Sequence, residues 1–116
     1  MIGRLHSVVV DCPDPLALAR FWSELLGEPV TRQDDDWVVV GEDGRRCLAF
    51  QRAPDHVPPR WPDPRHPQQL HLDVAVDDLD EGERRVLALG ATRLPGGETG
   101  FRVFADPAGH PFCLVD

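Results

Sequence analysis

The chain has 116 residues, 41% of them hydrophobic, and a net charge of −8. That length makes one domain with a core of its own, without disulfide staples, and the acidic balance argues against nucleic acid, whose phosphates call for clustered cations. Every basic side chain is Arg and there is no Tyr, which excludes a lysine Schiff base and a phenolic acid or base.

Residues 4–10 read as a first strand, rich in β-branched Val8, Val9 and Val10. Asp14 is placed to cap a helix that Pro15 starts, Leu18, Phe21, Trp22 and Leu25 recur at helical spacing, and Gly27 is a left-handed stop. Short strands follow over residues 28–32, 37–40 and 47–52, with a hairpin turn at Glu42-Asp43-Gly44. Composition then changes. Six of the twelve prolines fall in residues 53–67, together with Trp61 and two histidines, a density that excludes helix and interior strand and marks an extended crossover.

Beyond it, residues 68–79 alternate with period two. Leu70, Leu72, Val74 and Val76 lie on one face of the predicted strand, and Gln69, His71, Asp73 and Ala75 on the other. Asp78 caps a predicted helix over 79–89 that Gly90 ends. Strands over 91–94, 101–105 and 112–115 follow, separated by turns at Pro95-Gly96-Gly97 and Asp106-Pro107-Ala108-Gly109. Both halves read β-α-β-β-β, about 1–52 and 69–116, joined by the crossover 53–68. His6-Ser7-Val8-Val9-Val10-Asp11 is echoed by His71 through Asp77, and Leu26-Gly27 by Leu89-Gly90.

The three cysteines, Cys12, Cys47 and Cys113, are odd in number and form no C-x-x-C pair, so buried reduced thiols are expected in place of disulfides or a zinc knuckle. No apolar run approaches the roughly 18 residues of a membrane span, and no signal-peptide pattern opens the chain; a cytoplasmic protein is the expectation. The sequence has no G-x-S-x-G, P-loop or dinucleotide fingerprint to support acyl, phosphoryl or hydride transfer.

In order and spacing, three stretches resemble the glyoxalase-like domains of the vicinal oxygen chelate superfamily, which includes glyoxalase I, fosfomycin and bleomycin resistance proteins and extradiol dioxygenases. They are Asp14-Pro15-Leu16-Ala17-Leu18-Ala19-Arg20-Phe21-Trp22 with Leu25-Leu26-Gly27, His71 with Val76-Asp77-Asp78-Leu79, and Asp106-Pro107-Ala108-Gly109-His110-Pro111-Phe112. The resemblance implies an α+β fold of two βαβββ modules, with curved mixed sheets around a cavity, commonly paired as a homodimer. It also implies metal ligands from the first and fourth strands of each module, which carried onto this chain fall at His6 or Ser7, Gln51, His71 and Cys113. Counting back from the Asp14 helix places Ser7 at the usual position; an extra residue in the Asp11-Cys12-Pro13 turn would restore His6, and both registers stay open. Cys113 stands where an acidic ligand is usual, so the set of ligand types favours zinc over magnesium, manganese or iron; the alternative is a polar pocket without metal.

Asp73, on the face of His71, is the candidate catalytic base, with a surface carboxylate as the plain alternative. Trp61 is either a ligand-stacking lid or an anchor for the crossover. His56, His66 and His110 are expected in solvent. Two functions follow from the resemblance: small-molecule binding in the cavity between the modules without turnover, or a metal-dependent lyase, isomerase or dioxygenase acting on a small oxygenated substrate.

Overall fold

A computed structural model describes residues 1–116. Its elements run in chain order as β1 (Ser7–Cys12), α1 (Pro15–Leu26), β2 (Val30–Gln33), β3 (Trp37–Val40), β4 (Cys47–Arg52), β5 (Leu72–Ala75), α2 (Leu79–Leu89), β6 (Thr92–Glu98), β7 (Phe101–Ala105) and β8 (Pro111–Val115). They form two units, Met1–His56 and Val57–Asp116. Each unit is one helix on a four-stranded mixed sheet, ordered β1-β4-β3-β2 in the first and β5-β8-β7-β6 in the second. The pairs β1/β4 and β5/β8 are parallel and the rest antiparallel. No helix is long and apolar enough to cross a membrane.

The helices begin and end by the same local chemistry. Asp14 and Asp78 are in extended conformation, and their side chains accept hydrogen bonds from the Ala17 and Glu81 amides; a cap of this kind is worth about 1 kcal/mol. Gly27 and Gly90, both left-handed, close them.

In the first unit, α1 packs on β3 and β4 and buries Leu18, Ala19, Phe21 and Trp22. Strand alternation and pairing put Val38, Val40 and Phe50 on one sheet face, with Val8 and Val10. The other face carries Ser7, Val9, Cys47, Ala49 and Gln51, and there Val39, Cys47 and Ala49 form a buried cluster with Trp37.

The second unit repeats the plan. Phe104 and Phe112 stack at 5.6 Å between ring centroids, on the face shared by Leu72, Val74 and Leu114. A side chain at Gly82 would meet Leu114 at 3.2 Å and Val76 at 3.3 Å. The close approach of α2 to this face explains a glycine inside a helix, where it ordinarily costs up to about 1 kcal/mol. Arg102 ties β7 to the same helix through Asp80 (2.7 Å) and Glu83.

Three boundaries differ from the sequence expectation. The first strand starts at Ser7, leaving His6 just outside it, and the strand carrying Asp73 starts at Leu72. Pro95-Gly96-Gly97, expected as a turn, lies inside β6, where pairing with β7 shifts between Arg93 and Gly97. Gly97 sits there at φ +99° with its Cβ position only 2.9 Å from the Phe101 carbonyl oxygen, a bulge that only glycine fits.

Candidate functional site

The parallel register of β5 and β8 sets Asp73 opposite Cys113. His71 precedes β5 by one residue, and period two returns its side chain to the face of Asp73, away from the Phe104–Phe112 stack. Cys113 is held from its own side. The buried Asp106 carboxylate accepts from the Ala108 and His110 amides at 3.0 Å each, fixing the turn that feeds β8. Pro111, first residue of that strand, needs no ladder donor.

His71 Nε2 lies 3.4 Å from Asp73 Oδ1, with the two side chains 44% and 57% exposed. Cys113 is buried beneath them. One donor atom from each of the three lies within 4.8 Å of the others. Burial pushes the Cys113 thiol above its usual range, and the Asp73 charge and a hydrogen bond to that carboxylate push it further the same way. Without a cation, Cys113 is therefore a protonated S–H donor and a poor nucleophile.

These donors suit some metal ions and not others. Zinc takes nitrogen, oxygen and thiolate sulfur at about 2.0–2.3 Å, which sets tetrahedral ligand atoms about 3.3–3.8 Å apart. The His71–Asp73 distance already falls in that range, and the 4.8 Å limit of the cluster leaves the rest to small side-chain rotations. Magnesium and manganese favour nearly all-oxygen shells, and this cluster offers one carboxylate.

Of the remaining predicted residues, His6 and Gln51 belong to the first unit and Trp61 to the second. The His6 carbonyl accepts from the Cys47 amide at 3.4 Å. Its ring lies against Gly44 and 3.3 Å from Ser7 Oγ. Pairing of β1 with β4 is unbroken, so Ser7 and not His6 shares the sheet face of Cys47 and Ala49. Gln51 is opposite Asp11 on that face. It is four residues along β4 from Cys47, about 13 Å, so His6 and Gln51 occupy opposite ends of the β1/β4 pair. Trp61 donates its indole N–H to the Pro95 carbonyl at 3.0 Å, fastening the crossover onto β6. His56, His66 and His110, expected in solvent, are half-buried, each in a turn folded back on the chain.

Superposing the two units by their caps and registers exposes an asymmetry. Ser7 precedes Asp14 by the interval at which His71 precedes Asp78, and likewise Val9 and Asp73. Val9 pairs with Ala49 as Asp73 pairs with Cys113. The first-unit counterparts of His71, Asp73 and Cys113 are thus Ser7, Val9 and Ala49, and Gln51 lies two residues past the equivalent position. The signal was in the sequence, as equal spacing from two helix caps, but it needed the strand pairing to be read.

A glyoxalase-like domain model matches residues 7–115. Comparison with curated protein sequences returned no match. Among solved structures, the chain is similar to a glyoxalase/bleomycin resistance protein/dioxygenase family enzyme from Burkholderia phytofirmans PsJN, at 17% identity, 97% coverage of both chains and a TM-score of 0.75. It is also similar to a glyoxalase-related enzyme from Fulvimarina pelagi, at 19% identity, covering 98% of this chain and 88% of that one, with a TM-score of 0.71. A third similar structure, described as the oxidase ChaP-H2, is 25% identical over 99% of this chain and 94% of that one, with a TM-score of 0.70. The paired β-α-β-β-β units and a family match spanning nearly the whole sequence lead to one conclusion: the chain belongs to the glyoxalase-like domain family, within the vicinal oxygen chelate superfamily.

Proposed function

We propose that this chain binds a small oxygen-bearing molecule over the His71–Asp73 face of its second sheet, as a binding module and not as a catalyst. The observation that carries this reading is the pair itself. An imidazole and a carboxylate stand 3.4 Å apart and half exposed, able to donate and accept toward adjacent hydroxyl or carbonyl oxygens. Against catalysis stands the first unit, whose equivalent positions hold Ser7, Val9 and Ala49, with no imidazole, carboxylate or thiol among them. A homodimer, common among similar proteins, is part of the proposal and is checked by light scattering.

Ligand-observed NMR on chelator-treated protein, with catechols, α-hydroxy ketones and vicinal diols as probes, tests the reading. Binding by one class is expected, lost in His71→Ala and weakened about tenfold or more in Asp73→Asn, the worth of one charge-assisted hydrogen bond. No binder in any class, or a binder indifferent to both substitutions, would sink it.

A second reading, a metal-dependent lyase, isomerase or dioxygenase, is favoured by the cluster of His71, Asp73 and Cys113 and by similarity to a protein described as an oxidase. His71 and Cys113 would hold the ion, which supplies Lewis acidity toward a substrate oxygen. Asp73 would then hold or move a proton at the substrate.

A further inference from the structure

We infer that the first unit holds a second ligand site, a cleft between residues 1–6 and the β3–β4 turn that takes the phosphate group of a small organic phosphate. The inference is independent of the small-molecule reading, because no residue of the His71–Asp73 face takes part. The cleft lies where β1 and β4 begin, just before the first pair of their parallel ladder, Ser7 with Cys47. Arg4, Leu5, Gly44, Arg45 and Arg46 line it, around a volume of about 590 Å³. A smaller cleft of about 290 Å³ adjoins it, sharing Arg4 and Gly44 and adding Ile2 and His6. Three guanidiniums thus line one volume in a chain whose net charge is −8, and a cleft lined by one sign of charge concentrates the opposite ion.

The acids nearest in sequence do not neutralise this set. Glu42 reaches Arg45 at 3.5 Å and Asp43 reaches Arg32 at 3.9 Å, both pairs exposed and so weak. Arg4 and Arg46 have no carboxylate partner. Arg46 also departs from what its backbone favours. Its φ is +55°, and it is the one non-glycine residue of the chain with positive φ. The same turn uses glycine at Gly41 and Gly44, at +92° and +81°, so glycine would be the relaxed residue at position 46 as well. Strained backbone of this kind clusters at ligand-binding sites. Planar guanidinium forks match phosphate oxygens two N–H bonds at a time. Leu5, 58% exposed, and the fully exposed Ile2 give the organic part of the ligand an apolar flank.

Isothermal titration calorimetry on the full chain, in a low-salt buffer free of phosphate and carboxylate, tests this with phenyl phosphate, inorganic phosphate and succinate. Stoichiometric binding of phenyl phosphate is expected, with inorganic phosphate weaker and succinate weaker still. Arg46→Gly and Arg4→Ala should each weaken phenyl phosphate about tenfold or more, the loss of a charge-assisted hydrogen bond. Arg46→Gly removes the strain together with the charge, so its melting temperature by circular dichroism should match or exceed that of the wild type. Arg4 lies outside every helix and strand, which makes Arg4→Ala a second variant that spares the fold. Arg85→Ala removes an exposed arginine of the second unit; it controls for net charge and should leave binding unchanged. The proposal is overturned by any of four results: no binding of phenyl phosphate, binding unmoved in Arg46→Gly or Arg4→Ala, an equal loss in Arg85→Ala, or inorganic phosphate or succinate binding as tightly as phenyl phosphate.

Discussion

The two units share a scaffold and differ in one sheet face. Both run strand, capped helix, three strands; both helices start at an Asp and stop at a left-handed Gly; both pair their first and fourth strands in parallel. On the face away from the helix, the first unit has Val9 opposite Ala49, continuous with a buried apolar cluster of Val39, Cys47 and Ala49. The second has Asp73 opposite Cys113 with His71 beside them. The same backbone register thus carries an apolar pair in one unit and a carboxylate–thiol pair in the other. The lesson is that one strand geometry presents different side-chain donors in the two units.

The difference can be transplanted. Ser7→His, Val9→Asp and Ala49→Cys together place the second unit's donors on the first unit's register, and on the metal-dependent reading bound cobalt per chain should double, with a stronger charge-transfer band. Ala49→Cys alone should add no second equivalent. A triple variant that folds yet binds no extra cobalt would show that the two registers are not equivalent.

A smaller effect sharpens the comparison within the second unit. The Cys113 thiol is raised first by burial and then by the Asp73 charge and hydrogen bond. A raised thiol keeps its proton to higher pH, so alkylation of Cys113 by iodoacetamide in metal-free protein should rise with a midpoint above that of the same peptide in the unfolded chain. Asp73→Asn removes the charge that opposes thiolate formation and should lower the midpoint partway, speeding alkylation at mildly alkaline pH. Burial, the larger cause, remains and keeps the midpoint above the unfolded value. Peptide-resolved mass spectrometry separates Cys113 from Cys12 and Cys47; a midpoint unmoved or raised by Asp73→Asn would contradict the account.

Much of the scaffold was legible from local chemistry. Asp14 and Asp78 cap helices because a short carboxylate reaches the amide three residues on, and Gly27 and Gly90 stop them because the left-handed conformation favours glycine. His71 and Asp73 were readable as neighbours because period two is a property of one strand. The pairing of Asp73 with Cys113, and of Val9 with Ala49, is a register between strands distant in sequence, which no local pattern encodes. For the same reason Gln51 looked acceptable on its own strand, where it does share the face of Ala49, although Ala49 occupies the position equivalent to Cys113. Pro95-Gly96-Gly97 has the composition of a turn, and the pairing of β6 with β7 absorbs it as a bulge. Trp61 was readable as either lid or anchor; its bond to Pro95 is an anchoring contact.

The central proposal, that a small oxygen-bearing molecule binds over the His71–Asp73 face, is tested most directly on the histidine side chains. The five imidazoles can be assigned in a long-range nitrogen–proton spectrum of the full, chelator-treated chain, and the catechol, α-hydroxy ketone or vicinal diol that binds is then titrated in. The account predicts a change at the His71 ring nitrogens, while His6, His56, His66 and His110 stay where they were. A shift of His6 together with His71, or in its place, would contradict it.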